Sequence, residues 1–275
     1  MADIYASHFE YDGIMSRKYN LVIANVETDR FRKLSGDIHS NTIYNRNSKR
    51  LHLIGTDYSD SHLTFDVDII TDHELGIEFN MRREIEKWLF NRNKFCKLYF
   101  DIADDPFGEM FESVHGEEKQ TYFNCRFVNA EKLEYNGGIV GYKATIETDS
   151  PFLWQDTTSK TFAPTSDDRD RFIELRTDFD IDGFIYPTVR FSTGYEGGDI
   201  TIINNTDSTS RQTKFVNLPA NATVVMRGDI NMISDGFYDN LSERNFVRVM
   251  DGLNEISVIG DVTSITFEWE NRRRL

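Results

Sequence analysis

The chain is short of several things, and each shortage closes off a class of protein. It holds two cysteines in 275 residues, Cys96 and Cys125, too few for a disulfide-built fold. No apolar run approaches the roughly 20 residues of a membrane-spanning helix. Positive charge is scarce, with 31 Lys and Arg against 46 Asp and Glu, a formal net charge of −15. A field of that sign repels a phosphate backbone and an anionic bilayer alike, so neither specific nucleic-acid binding nor membrane binding is expected. The opening MADIYASHFEYDG has no basic stretch followed by an apolar one, as a signal peptide would. Synthesis in the cytosol without independent export is the expectation.

Signature motifs of catalysis are missing as well. The sequence has no C-x-x-C, no G-x-x-x-x-G-K and no G-x-S-x-G, which removes the common redox, phosphate-loop and hydrolase readings. His73-Glu74 is followed by Gly76-Ile77, so the second histidine of a zinc-protease helix is absent. All six histidines lie between His8 and His115, at spacings that match no ligand set. Carboxylates are so numerous that a glycosidase-like pair arises by chance and weighs neither way. No enzyme and no cofactor is expected.

What the chain has in plenty is aromatic residues and alternation. Its 21 Phe and 12 Tyr favour pleated, half-buried surfaces, and 275 residues suffice for two domains with real cores. Leu63, Phe65, Val67 and Ile69 alternate with Thr64, Asp66 and Asp68, a strand with one wet face. Cys96 shares a face with Leu98, Phe100 and Ile102, and Cys125 with Phe123 and Phe127. Both thiols read as small core residues, and a disulfide between them is not needed in a reducing compartment. From Asn80 the period changes. Met81, Ile85, Trp88 and Leu89 predict an amphipathic helix over about 80–92, with Asn80 as its N-cap. Residues 101–120 read as a long acidic loop or hairpin. Asn136-Gly137, between alternating runs, predicts a tight β-hairpin.

The apolar and aromatic Ser150-Pro151-Phe152-Leu153-Trp154 marks a hinge. Residues 155–172, QDTTSKTFAPTSDDRDRF, are polar and turn-rich and read as a linker. Beyond them only strands are predicted: Ile200 and Ile202, Val224 and Met226, Ile256 and Val258, then Ile265, Phe267 and Trp269. Short strands at such spacing suggest a sandwich. The fold class is therefore mainly β: a β-rich domain with one helix over 1–154, a linker over 155–172, and a β-sandwich over 173–275.

Three local features invite a functional reading. Asp178-Phe179-Asp180-Ile181-Asp182-Gly183 places acids where an EF-hand loop has its first three ligands. Val189 stands where that loop needs its bidentate Glu, and Pro187 blocks an exiting helix. The competing reading is a strand with Phe179 and Ile181 on its apolar face. Arg272, Arg273 and Arg274 stand against the acidic whole, either as a solvated tail or as a contact for an acidic partner. Tyr195, Phe237 and Tyr238 are the aromatics an adhesion module would turn toward a glycan. The sequons at Asn204, Asn221 and Asn240 read as turn residues in a protein that is not exported.

Four stretches taken together carry a resemblance. Phe9-Glu10-Tyr11-Asp12-Gly13 with Ser16 is one, and Arg83, Ile85, Trp88 and Leu89 followed by Lys97 to Asp101 is the next. Ser150 to Trp154 is the third. Ile202-Ile203-Asn204-Asn205-Thr206-Asp207 with Asp251-Gly252-Leu253-Asn254-Glu255-Ile256 is the last. In this order the chain resembles the distal tail proteins of long-tailed bacteriophages, the siphophage tail component family. The resemblance implies a non-enzymatic structural protein. Its first domain would form a hexameric belt, and its second would be a galectin-like sandwich. The implied partners are the major tail tube protein, a tail-associated hub or tip protein and a receptor-binding protein, at the tail tip of the virion. The fold name carries no sugar site with it.

Overall fold

The computed structural model describes residues 8–26, 38–45, 50–58, 61–71, 76–100, 121–163, 170–181, 183–209, 211–234 and 236–274. They form a mainly β protein with one α-helix. The chain divides into two compact units, one of Met1–Gln155 with Arg273–Leu275 and one of Asp156–Arg272. The second unit is thus spliced into the path of the first, which the chain leaves at Gln155 and rejoins at Arg273.

The first unit opens with β1 (Phe9–Tyr11), β2 (Ile14–Met15) and β3 (Leu21–Val26). A ribbon of β4 (Ile38–Asn45) and β5 (Arg50–Tyr58) follows, then β6 (Thr64–Thr71) and helix α1 (Phe79–Leu89). β7 (Cys96–Phe100), β8 (Thr121–Tyr135), β9 (Gly138–Thr148) and β10 (Leu153–Gln155) complete it. Antiparallel pairing gives the order β2-β1-β7-β8-β9-β6-β3, with β10 added to β8. Alternation decides the buried face, where Phe65, Val67 and Ile69 of β6 meet Phe123, Cys125 and Phe127 of β8. Asn136 and Gly137 adopt φ of 48° and 79°, the left-handed pair that closes β8 onto β9.

Helix α1 lays Ile85, Trp88 and Leu89 on this core. It differs from expectation at both ends. Glu78 holds the cap position, without a side-chain bond, and Asn80 lies inside the first turn. The cause is the preceding residue: buried Ile77 donates its N–H to Ile139 O at 2.8 Å, which ties the chain down and lets the helix start directly after it. The helix stops at Leu89 because Asn91-Arg92-Asn93 offers nothing apolar to extend the stripe. At the centre of the core Trp88 stacks on Phe9, ring centroids 5.7 Å apart, and its Nε1 donates to Tyr11 O at 2.9 Å. Cys96 and Cys125 face each other across β7 and β8 as buried free thiols. Burial pushes both thiols above their ordinary range.

The second unit begins with β11 (Thr158–Phe162), β12 (Asp170–Thr177), β13 (Phe184–Ile185) and β14 (Thr188–Thr193). It continues with β15 (Gly198–Asn204), β16 (Gln212–Leu218), β17 (Thr223–Arg227) and β18 (Met232–Ile233). β19 (Leu241–Arg244), β20 (Val249–Met250), β21 (Gly252–Ile259) and β22 (Val262–Trp269) end it. Two five-stranded sheets result, β11-β22-β14-β17-β18 and β12-β21-β15-β16-β19. Phe191 of one and Phe215 of the other meet edge-to-face at 5.5 Å in a shared core, so the sheets form a sandwich. The predicted linker over 155–172 is corrected here, for it contains β11 and the start of β12. Among the described residues β11 is an edge strand paired only with β22, and of its residues Phe162 packs on the core. A strand with so little to bury has a linker's composition.

Candidate interaction surface

Among the described residues no three His, Cys, Asp or Glu side chains converge as a metal would require. After β12 the chain bends, with Phe179 and Ile181 buried and Asp178 and Asp180 turned to solvent. The bend is tied down by its backbone: Phe179 N–H donates to Asp251 Oδ1 at 2.8 Å, and Asp180 N–H to Arg272 O at 3.0 Å. The apolar pair therefore packs as the strand reading expected, in a bend rather than in a strand. Asp182 lies outside the described residues, as do His73, His115 and the 101–120 stretch.

Among the described residues a nucleophile, a base and an acid come near each other, in the order Ser61, His62, Glu147. Ser61 Oγ and His62 Nδ1 lie 2.9 Å apart, but His62 Nε2 is 4.0 Å from Glu147 Oε1, beyond hydrogen-bond reach. Arg126 Nε donates to that carboxylate at 2.7 Å and holds it below the ordinary carboxylate range. The glutamate is thus committed to the arginine rather than to orienting the imidazole, and the hydrolase reading gains nothing from the group.

The terminal arginines are not a simple solvated tail. Arg272 and Arg273 form a two-residue strand and are half-buried, and Arg273 Nη2 donates to Gln155 Oε1 at 3.0 Å. Arg274 is exposed. Of the three aromatics singled out, Phe237 packs against the sandwich core, while the Tyr238 hydroxyl accepts the Ile233 N–H at 3.1 Å. Tyr195 is different. It is 90% exposed on a pinned loop, where Gly194 N–H donates to Asp261 O and Glu196 N–H to Asp261 Oδ2, each at 2.9 Å. The Asp261 carboxylate lies 2.1 Å from where a Cβ on Gly194 would sit, so any side chain there would displace the carboxylate that holds the Glu196 N–H.

What the structure adds is a set of exposed apolar side chains. In the first unit these include Ile43 and Tyr44 on β4, Tyr135 at the end of β8, and Phe79, which opens α1 at 81% exposure. In the second, Phe172 on the edge strand β12 is 78% exposed. A trace of the last is in the sequence: in Phe172-Ile173-Glu174-Leu175 the phenylalanine falls on the polar phase of the alternation. Scattered singly, such side chains are ordinary on a protein surface, and only a contiguous patch of them would mark a surface that another molecule covers.

Residues 4–150 match the family described as phage tail protein N-terminal domain. Among curated proteins none matches the sequence. Solved structures match in fold along nearly the whole chain. The Dit (gp 19.1) protein of phage SPP1, described as a paradigm of the hub adsorption apparatus in phages that infect Gram-positive hosts, aligns at a TM-score of 0.60 and 14% identity. That match covers 96% of this chain and 98% of the other. A chain of the phage P2 baseplate in its activated conformation aligns at 0.51 and 9% identity, over 95% of this chain and 97% of that one. At such identities the likeness is one of fold.

Proposed function

Since the chain belongs to the phage tail proteins that share this N-terminal domain, and is folded like a distal tail protein, we propose that it is a structural hub of the tail tip or baseplate of a long-tailed phage. In this reading the first unit closes with copies of itself into a hexameric ring between tail tube and tip. The second unit, a galectin-like sandwich, offers attachment surface. The partners are the major tail tube protein, the tail-associated tip protein and a receptor-binding protein. The protein acts by assembly, without catalysis or cofactor, at the tail tip of the virion after synthesis in the host cytoplasm. The carrying observation is the family match over residues 4–150 together with a fold likeness over 96% of the chain. The net charge of −15 agrees with a lumen that repels DNA and lets it pass. A ring lined with Lys and Arg would contradict that part. Light scattering over a range of concentrations tests the assembly. Six copies of the 32.0 kDa chain are expected, and a monomer at every concentration would speak against self-assembly.

A second reading has one observation in its favour, the exposed Tyr195 on its pinned loop. There the second unit would stack a host glycan on that ring, as aromatic platforms do. Binding of the full chain to host cell-wall glycan, lost in Tyr195→Ala, would support it. A full chain that leaves the glycan unbound would remove it.

A further inference from the structure

We propose that Cys96 and Cys125 form a cross-strand disulfide once the protein has left the reducing cytosol, a staple set in the core of the first unit. The staple depends on the virion location proposed above, which carries the chain from a reducing medium to an oxidising one. Cys96 and Cys125 are the chain's two cysteines, and β7 and β8 set them directly opposite each other. That opposition is informative. A strand residue has at most two direct cross-strand partners, so only two of the other 274 positions would place a second cysteine opposite the first. Use as a small core residue accounts for each thiol but not for their pairing.

Directly opposed residues of an antiparallel pair have Cα atoms about 4.5–5.5 Å apart, inside the roughly 4.4–6.8 Å that a disulfide spans. Their side chains leave the same face of the sheet, here the buried one, where both belong to one core cluster. Cys96 Sγ donates only a long bond to Lys94 O, at 3.9 Å, which costs little to give up. The Tyr11 hydroxyl donates to Cys125 O at 3.4 Å, a backbone contact that the bond would leave in place. The reaction needs an electron acceptor, and a low-molecular-weight disulfide supplies it. Cys96 is the less buried thiol and the less strongly raised. It loses its proton to solvent and attacks one sulfur of the small disulfide, which releases a small thiolate and leaves a mixed disulfide on Cys96. The Cys125 thiolate then attacks Cys96 Sγ, forms the new bond and expels the second small thiolate. Two electrons pass from the cysteines to the small disulfide, and the two protons end on its thiols. Burial keeps both cysteines protonated most of the time, so the staple sets over hours rather than seconds. It closes the 28 residues between the cysteines into a ring and so removes loop entropy from the unfolded chain.

The test holds the folded full chain in oxidised glutathione, with Cys125→Ala, which keeps a small apolar side chain in place, as the control. Circular dichroism checks that each sample stays folded throughout. Intact mass, unreduced peptide mapping and the melting midpoint are the readouts. The parent should lose two hydrogens, yield a peptide pair linked through Cys96 and Cys125, and melt about 5–10 °C above its reduced form. Dithiothreitol should reverse all three changes, and the same treatment should not raise the midpoint of Cys125→Ala. A folded parent whose thiols stay free for days, or carry glutathione without joining each other, overturns the proposal whether or not the control folds. A linked chain that melts no higher than the reduced one overturns the stapling role. Light scattering on the same samples separates the staple from the hub reading. A chain that assembles with its thiols still free loses the staple alone, and one that links its cysteines yet stays monomeric keeps the staple and loses the hub.

Discussion

The two units solve the same burial problem in different ways. The first lays one helix on one sheet, and its buried polar contacts run largely through the backbone, as where Trp88 Nε1 meets Tyr11 O and Ser16 Oγ meets Phe9 N. The second closes sheet on sheet, and its buried polar contacts include side chains that bond other side chains. Arg248 reaches Asp207 with Nε at 2.6 Å from Oδ2 and Nη2 at 3.0 Å from Oδ1, and Asn204 Nδ2 donates to Asn254 Oδ1 at 2.9 Å. A core tied to backbone atoms depends on shape, whereas a core tied by charged and amide pairs depends also on protonation and on both partners being present. The first unit should therefore fail by cavity and the second by an orphaned polar group.

The sharpest way to break that contrast is Trp88→Ala. It removes the ring that stacks on Phe9 and lies 5.3 Å from Tyr19, and should cost about 4 kcal/mol. Hydrogen exchange should rise in first-unit peptides; a rise centred on the sandwich would contradict the division. Next is Arg248→Met, which leaves Asp207, a residue 2% exposed, without its counter-charge. A loss of about 3 kcal/mol is expected, read as a lower denaturation midpoint and faster exchange in second-unit peptides.

Acid should separate the units more gently. The Arg248 guanidinium, helped by Thr209, holds the Asp207 carboxyl well below the usual carboxylate range. A carboxyl depressed in the fold contributes stability above its unfolded value of about 3.9 and loses it as the pH falls below that. Exchange in the sandwich should therefore accelerate below about pH 4, and Asp207→Asn should flatten that dependence while lowering the plateau. The opposite sign holds for Tyr142, pushed up to about 12 by burial and then by the Glu86 carboxylate. Its neutral form is favoured in the fold, so the first unit should lose stability as the pH rises above about 10, and Tyr142→Phe should reduce that loss, the rest belonging to Tyr11, Cys96 and Cys125, which burial also raises. The smallest effect belongs to Phe79→Ser. At 81% exposure it should leave the unfolding free energy within about 0.5 kcal/mol of the parent, so a larger loss would show that Phe79 is covered in the isolated chain.

Much of the fold was legible because burial imposes a period. The strands around Phe65, Cys125, Ile202 and Phe267, the helix through Ile85 and Trp88, and the Asn136-Gly137 turn all announce themselves by spacing or by a required φ. The motifs behind the family resemblance have the same origin. Phe9, Tyr11 and Trp88 meet in one core, and Asn204 and Asn254, from motifs fifty residues apart, meet in the other. They are what the fold needs, and so they report the fold. The linker expected over 155–172 failed for the converse reason, since an edge strand such as β11 buries too little to have a period.

The exposed apolar side chains were the least legible part. Ile43, Tyr44, Phe79 and Phe172 are letters that the sequence also uses for core, and composition does not tell an apolar residue facing a partner from one facing its own sheet. By itself the sequence determined a mainly β chain with one helix and a strong negative charge, because periodicity, turn residues and charge are local or additive. Only the tertiary structure decided that the second unit is spliced between Gln155 and Arg273, that the two motif asparagines form one pair, and that Ile43 and Tyr44 of β4 are exposed. Each of these depends on which distant segments come together, and pairing across many residues leaves no mark in the spacing of neighbours.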